Sequence, residues 1–405
     1  MSLFTDPVHD EFSGWALGFA PYGAADYGEV TAIAARVKPG DDDSWFDEWH
    51  AFAQRRIDEG DQAAAAGHHA TACDAYGRAA AMLGIAYHVL YGTPVDRRLA
   101  DAFHLQMETF QKLLAHAPFP SQPVTVAYEG TTQPAWLLQA PAHADEVRPT
   151  LIVGGGWDST VVENHFGIGL AALARGYHVL LHDGPGQGRL LIDEGLPLRY
   201  DWEHVVTPVV DATLAIDVVR PDALAYEPWS LGGYMAPRVA AFEPRLAAVV
   251  ADPGQLDVGG KFTAMASAFG LDPAAVARLP ELSPEDEATM MKVITGDRGM
   301  HWKIVQRGFW TNGAPSLPAF LAEMDKWKLD PDTVAQIRCP MLVTSAESDV
   351  ASSNAKDLYD ALECPKHFVQ FTNGDGAGDH CELFNRSLAN RVILDWLDDT
   401  LPGTG

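Results

Sequence analysis

The sequence predicts an α/β protein built on a mostly parallel, doubly wound sheet. Two observations carry that expectation. From Pro118 onward, short apolar runs alternate with helical patterns, and repeated βα units of that kind form a parallel sheet covered on both faces. Within that stretch, Leu224-Ala-Tyr-Glu-Pro-Trp-Ser230-Leu-Gly-Gly-Tyr-Met-Ala-Pro-Arg238 reads as a strand, a sharp turn and an Ala-rich helix, with Ser230 at the apex. Such a turn lifts a hydroxyl clear of the sheet, and a small residue two positions later lets the helix pack close to the strand. The usual spacing is G-x-S-x-G; Pro228 stands at its first position, where φ is fixed and no N–H is available.

The elements follow in order. Residues from about Ser44 to Ala117 read as helices, with Trp45, Trp49, Phe52 and Ile57 close to one face of a 3.6-residue period. Asp61 to Gly92 continues as an Ala-rich segment like one tetratricopeptide hairpin. No second copy appears, so a small helical domain packed on the main one is the better reading. Val124–Tyr128 and Ala135–Leu138 read as two strands around a turn at Gly130. Next come the strand Leu151–Val153, a helix from about Glu163 to Arg175, the strand Tyr177–His182 and a helix over Trp202 to Val219. The Ser230 strand and its helix precede the strand Leu246–Val250. Late in the chain are the strands Met341–Thr344 and Phe368–Phe371, a helix from Ser353 and a closing helix over Glu382 to Leu397. Between Pro253 and Gln336 the βα rhythm stops and helical segments carry Trp302, Phe309, Trp310, Phe320 and Trp327. An insertion capping a site and one packed on the sheet edge read alike here. The expected division is residues 1–117 as a helical domain contributing to a cap and 118–405 as the α/β domain, with the insertion at about 254–336.

Composition excludes several function classes. The 405 residues are 47% hydrophobic and 20% charged, a globular profile, and the formal net charge is −27. That balance opposes binding to nucleic acid or to anionic lipid, both of which need basic surface. No apolar run approaches membrane-spanning length, and no basic n-region with an apolar h-region opens the chain. Cys73, Cys339, Cys364 and Cys381 are scattered without C-x-x-C spacing and read as reduced thiols. A cytoplasmic protein acting on a small molecule is the expectation. His178 and His182 share a strand face, and His68 and His69 are adjacent, but neither pair has a matching third ligand, so neither a metal nor a cofactor is expected.

A serine at such a turn needs a base within hydrogen-bond reach and a carboxylate that holds the base in its productive tautomer. In the α/β-hydrolase fold these follow in the order Ser, acid, His. His380, in the loop Asn373-Gly-Asp-Gly-Ala-Gly-Asp-His380 between the last strand and last helix, is the candidate base; His367, at a strand start, is not. Asp349, after the strand Met341–Thr344, is the preferred acid, with Asp252 as its rival from an earlier loop and Glu347 as a weaker one. The oxyanion would be held by the Leu231 N–H and by one from the loop Gly154-Gly155-Gly156-Trp157, where glycines let the backbone approach a substrate oxygen. Neither this loop nor Gly184-Pro-Gly186-Gln-Gly188 has the spacing of a phosphate-binding loop.

These residues resemble a group of α/β-hydrolases that includes dihydroxypseudooxynicotine hydrolase, the fungal hydrolases that shorten polyketide pigments and the FrsA-like esterases. The resemblance rests on Gly155-Gly-Trp-Asp158, Arg175-Gly-Tyr177, Asp183-Gly-Pro-Gly-Gln-Gly188, Trp229-Ser-Leu-Gly-Gly-Tyr234, the Cys339–Val343 strand and Gly376-Ala-Gly-Asp-His-Cys381, and covers nearly the whole chain from Trp45. It implies a Ser230–Asp349–His380 triad, a helical cap to which the N-terminal segment contributes, and homodimerisation. It also implies cleavage of a carbon–carbon bond next to a ketone or of an ester, in a bulky secondary metabolite or aromatic compound. Pro228 and Ser159 depart from the group's pattern, the latter standing where glycine is common. Elimination or acyl transfer on the same residues, and an inert binding module, are the alternatives.

Overall fold

The computed structural model describes residues 2–401. Its centre is an eight-stranded sheet: β1 (Ser121–Tyr128), β2 (Thr131–Leu138), β3 (Arg148–Gly154), β4 (His178–His182), β5 (Val219–Pro228), β6 (Ala248–Ala251), β7 (Met341–Ala346) and β8 (Lys366–Phe371). The spatial order is β1-β2-β4-β3-β5-β6-β7-β8. The hairpin β1–β2 joins β4 antiparallel, and every other neighbouring pair is parallel. β3 and β4, whose residues after Arg148 are all buried, read as continuous apolar runs because both faces of the sheet are covered. One face packs around Trp202, Tyr226, Tyr234 and Val249, the other around Leu151, Val153, Phe166 and Trp229. This is the predicted α/β architecture with the α/β-hydrolase strand order.

Among the described residues, five α-helices precede the sheet: α1 (Pro7–Gly18), α2 (Tyr27–Ala34), α3 (Asp42–Ala65), α4 (His69–His88) and α5 (Arg97–His116). The apolar face expected on α3 is buried: Trp45, Trp49, Phe52 and Ile57 pack with Leu83 and Tyr87 of α4 in a third core. α3 ends at Ala65, with Ala66 as its cap, because Gly67 takes a left-handed φ of 78°. The sequence reading placed no element before Ser44, yet α1 begins at Pro7, capped by Asp6, whose side chain accepts from the Val8 and His9 N–H groups. Residues 259–334 form short helices and no strand, as the aromatic-rich segment suggests.

Two boundaries differ from expectation. The helix predicted through Val219 ends at Leu214, and Val219 starts β5, where it pairs with Arg148. The β-branched pair Val218-Val219, with Arg220 held extended by the following Pro221, favours extended backbone over a continued helix. The helix predicted over 163–175 has a wide π-turn at His165–Gly169 between its two α-helical ends.

Gly233, on the helix Gly232–Phe242 after Ser230, sits against the following loop so tightly that a Cβ would lie 1.6 Å from the Pro253 carbonyl oxygen. Gly233→Ala therefore forces the helix and the β6 loop apart. Equilibrium denaturation is expected to show a loss of about 1–3 kcal/mol or more, the range for overpacked cores, and an unchanged midpoint would contradict this packing.

Candidate active site

β5 ends at Pro228, opposite Gly154 of β3, so the missing N–H falls where the ladder stops. Two residues on, Ser230 adopts φ 61°, a strained left-handed conformation for a residue with a side chain. The turn is held from both sides. The Ser230 N–H donates to the Asp252 carbonyl at 2.7 Å, and Gln255 Nε2 donates to the Ser230 carbonyl at 2.6 Å. The Pro228 ring occupies the space beside Gly232, where a Cβ would lie 2.6 Å from the Pro228 Cβ.

Ser230, His380 and Asp349 come together. His380 Nδ1 lies 2.8 Å from Asp349 Oδ2, so that nitrogen carries the proton and Nε2 is left as an acceptor. Ser230 Oγ is 2.9 Å from that Nε2. Asp349 also accepts from the Ala351 N–H at 2.8 Å. Burial alone would raise the Asp349 pKa, but the hydrogen bond and charge of His380 outweigh it, and the carboxyl sits below its ordinary value. The two loops are joined by the Ser348 N–H donating to the Gly378 carbonyl at 2.7 Å. After His380 the chain turns sharply, with Cys381 and Glu382 both at positive φ.

The rival acids lie elsewhere. Glu347 accepts from the Asn373 N–H on the outside of the loop, and His367 lies within β8. Asp252 is fully buried and pairs with Arg386 Nη1 at 3.0 Å while accepting from Thr344 Oγ1 at 2.8 Å.

Among the predicted oxyanion donors, Leu231 and Trp157 line the cavity at Ser230, whereas Gly155 and Gly156 do not. The Gly156 N–H is already spent on Ser159 Oγ at 3.1 Å, which is what the serine at that position does. Gly156 is needed for closeness instead: a Cβ there would lie 2.7 Å from the Ser230 Cβ. Gln187, from the Gly184–Gly188 turn, is buried and donates to the Gly156 carbonyl at 2.7 Å, so that second glycine-rich motif braces the first.

The cavity has a volume of about 540 Å³. Its walls include Phe12, Trp15 and Phe19 from the N-terminal region, Trp229 beside the serine, and Phe262 and Trp302 from the insertion. One polar cluster in the wall escaped the sequence reading. Asp158 lies 3.5 Å from both His88 Nε2 and Arg307 Nη1. Burial alone would raise the Asp158 pKa, but the Arg307 charge and then the contact with His88 lower it; burial alone would lower that of His88, but Asp158 raises it. The Arg307 guanidinium lies over the Trp157 ring at 4.6 Å, and Trp157 Nε1 donates to Thr311 Oγ1 at 2.8 Å. Loop, α4 and insertion are thereby tied together. No signal in the sequence pairs residues 88, 158 and 307. Among the described residues, no group of three or more His, Cys, Asp or Glu side chains is arranged to hold a metal ion.

No family model matches the chain. It is 31% identical to hydrolase LUC6 of Fusarium sp, over 95% of this chain and 94% of that one. It is 29% identical to 20-hydroxy-prefusarin hydrolase FUS2 of Gibberella moniliformis, over the same shares. An Acremonium sp protein named as the α/β-hydrolase ucsC is 35% identical over 58% of this chain and 52% of its own length. The crystal structure of 2,6-dihydroxy-pseudo-oxynicotine hydrolase superimposes with a TM-score of 0.74 at 22% identity, over 95% of both chains. Strand order, serine turn and relatives define the class as α/β-fold hydrolases. The chain belongs to the α/β-hydrolase group of these fungal hydrolases.

Under the Ser230 turn, four buried ionisable side chains meet: Glu227, Asp252, Glu382 and Arg386. Burial pushes Glu227 up to about 8, with Arg386 opposing and Asp252 adding to the rise, and Glu382 is raised well above its ordinary value by the same causes. Arg386 Nη1 pairs with Asp252 at 3.0 Å, and burial favours the neutral form of both glutamates. A carboxyl whose folded pKa is raised contributes stability fully present below its unfolded value of 4.5, and that stability is lost as pH rises through about 8. Unfolding free energy measured from pH 5 to 9 should fall by an amount on the order of a few kcal/mol. Glu227→Gln should make the decline shallower, leaving the part due to Glu382; an equally steep decline in the variant would contradict an uncharged Glu227.

Proposed function

We propose that this enzyme is a serine hydrolase in which Ser230 is the nucleophile, His380 the general base and acid, and Asp349 the residue that orients the imidazole. The observation that carries the reading is the relay Ser230 Oγ–His380 Nε2 at 2.9 Å and His380 Nδ1–Asp349 Oδ2 at 2.8 Å, at the floor of a largely apolar cavity. His380 takes the hydroxyl proton as Oγ adds to a substrate carbonyl, and returns it to the leaving group. The Leu231 and Trp157 N–H groups, which have no acceptor among the described residues, are the donors for the oxyanion. Water then releases the acyl group by the same proton route.

The substrate class in this proposal is a bulky, apolar or aromatic ketone or ester, matched to the aromatic walls. Residues 1–117 act as a helical domain that shares the cap with the insertion at about 254–336, within an α/β domain spanning 118–405. α1, α4 and the π-turn His301–Phe309 all contribute cavity walls, which supports that division. No cofactor or metal takes part in this reading. The enzyme in this proposal is cytoplasmic; no helix among the described residues is long and apolar enough to cross a membrane.

Intact mass after treatment with a fluorophosphonate tests the proposal. One adduct is expected on the native chain and none on Ser230→Ala. With an aryl ester, Ser230→Ala and His380→Ala should lose roughly 10⁴–10⁶ in kcat, and Asp349→Asn roughly 10⁴. Full turnover by Ser230→Ala would overturn the assignment. Turnover without an acyl-enzyme would favour elimination.

A further inference from the structure

Lys261 lines the same cavity as Ser230 and His380 and is partly buried. Its ammonium group donates to Gln255 Oε1 and to the Ala351 carbonyl, each at 2.7 Å. Both acceptors are neutral, and an ammonium has three protons to give. Other cations on the cavity wall are neutralised: Lys303 pairs with Glu11 at 2.8 Å and Arg307 with Asp158 at 3.5 Å. Lys261 makes no ion pair among the described residues. Burial lowers its pKa to about 8 against the opposing pull of Asp349 and Asp257, so folding carries the cost of a cation that no carboxylate contacts. Gln255 in turn donates to the carbonyl of Ser230, which puts the ammonium one side chain away from the nucleophile's own backbone.

A free donor and a positive charge at this place suit an oxygen that becomes negative during reaction. The relay already protonates the leaving oxygen of an ester, so an ester has no need of a second cationic group. A carbon leaving group does need one, because its electron pair must be delocalised before the carbon is protonated.

We propose that Lys261 holds the oxygen of a leaving enolate, which assigns the cavity to substrates with a second carbonyl β to the one attacked, the 1,3-dicarbonyl compounds. This rests on Ser230 being the nucleophile. Ser230 Oγ bonds to the first carbonyl carbon as its proton passes to His380. Collapse of the tetrahedral intermediate breaks the bond to the α-carbon. That electron pair moves into the second carbonyl, placing the negative charge on the oxygen at Lys261. The His380 imidazolium gives its proton to the α-carbon, so a ketone leaves. Water hydrolyses the acyl-Ser230, and the products are one carboxylic acid and one ketone for each diketone and water consumed.

The test compares benzoylacetone with phenyl acetate on the native enzyme, Lys261→Met and Lys261→Arg, after fluorophosphonate labelling has been measured on each. The ratio of kcat/KM for diketone over ester is expected to fall at least 100-fold in Lys261→Met and to recover at least tenfold of that in Lys261→Arg. A ratio that stays within threefold of native in Lys261→Met, or native cleavage of the ester but not of the diketone, would overturn the proposal. A second reading does not depend on turnover. Ser230→Ala should bind benzoylacetone at neutral pH with the ultraviolet band of its enolate, and Ser230→Ala/Lys261→Met should not; an enolate band in both would also overturn it. Loss of labelling in the native enzyme would sink the nucleophile assignment, whereas the bound-enolate spectrum reports on Lys261 alone.

Discussion

One buried guanidinium holds the catalytic end of the sheet together. Arg386, at the start of the final helix, is buried and pairs with Asp252 at the end of β6. It also donates to the Cys381 carbonyl at 2.8 Å and faces Glu227 of β5 and Glu382. Asp252 is the residue whose carbonyl receives the Ser230 N–H, and Cys381 follows His380 directly. The serine turn and the histidine loop, 150 residues apart, thus share one anchor. A buried ion pair is weak evidence for net stability, since desolvation offsets much of the attraction, while losing one partner leaves an uncompensated charge. What Arg386 supplies is position: the left-handed Ser230 and the two left-handed residues after His380 are strained conformations that persist only when surrounding contacts over-determine them.

Much of this fold is readable from local pattern. The strands are short apolar runs, the serine turn has small residues after it, and the loops that carry Asp349 and His380 follow strands in the expected order. Each of those signals lives within about ten residues of chain. Pro228 looked like a defect in the turn, but at the last ladder position its missing N–H costs nothing and its ring packs beside Gly232. What could not be read depends on pairings across the chain. α1 has a capping aspartate and apolar residues, yet nothing local says that its aromatic residues line a cavity floored by residue 230. His88, Asp158 and Arg307 are ordinary polar residues in three separate segments until folding joins them. Lys261 is equally silent, since a lysine on a short helix normally points to solvent.

The cavity walls are knitted from segments more than two hundred residues apart. Trp302 Nε1 donates to the His88 carbonyl at 2.8 Å, and Gln306 Nε2 donates to the Tyr91 carbonyl at 3.2 Å. Lys303 and Arg298 pair with Glu11 and Asp6 of the N-terminal region. Roof and floor are then linked by Trp157, whose ring lies under Arg307 and whose indole bonds Thr311. The insertion and the loop Gly154–Trp157 are thereby held to each other by a ring contact and a hydrogen bond.

Among the described residues, two wide π-turns lie in segments that make contacts of this kind. An inserted residue in a helix shifts the carbonyl ladder and presents groups to partners other than the next turn. In His165–Gly169 the Gly167 carbonyl is turned to Arg386 Nε at 3.3 Å and Asn390 Nδ2 at 2.6 Å, so the anchor under the serine also grips this helix. Gly167 has no side chain because Trp229 fills that space; a Cβ would lie 3.2 Å from the indole. In His301–Phe309 the same distortion carries Trp302 and Arg307, which reach α4 and the Trp157 loop respectively. A regular 3.6-residue helix would place residues 302 and 307 about 140° apart around its axis, whereas π-winding reduces the turn per residue and draws residues five apart toward one face. Both side chains can then face the cavity from one short segment, where the Arg307 guanidinium packs over the Trp302 ring at 5.0 Å.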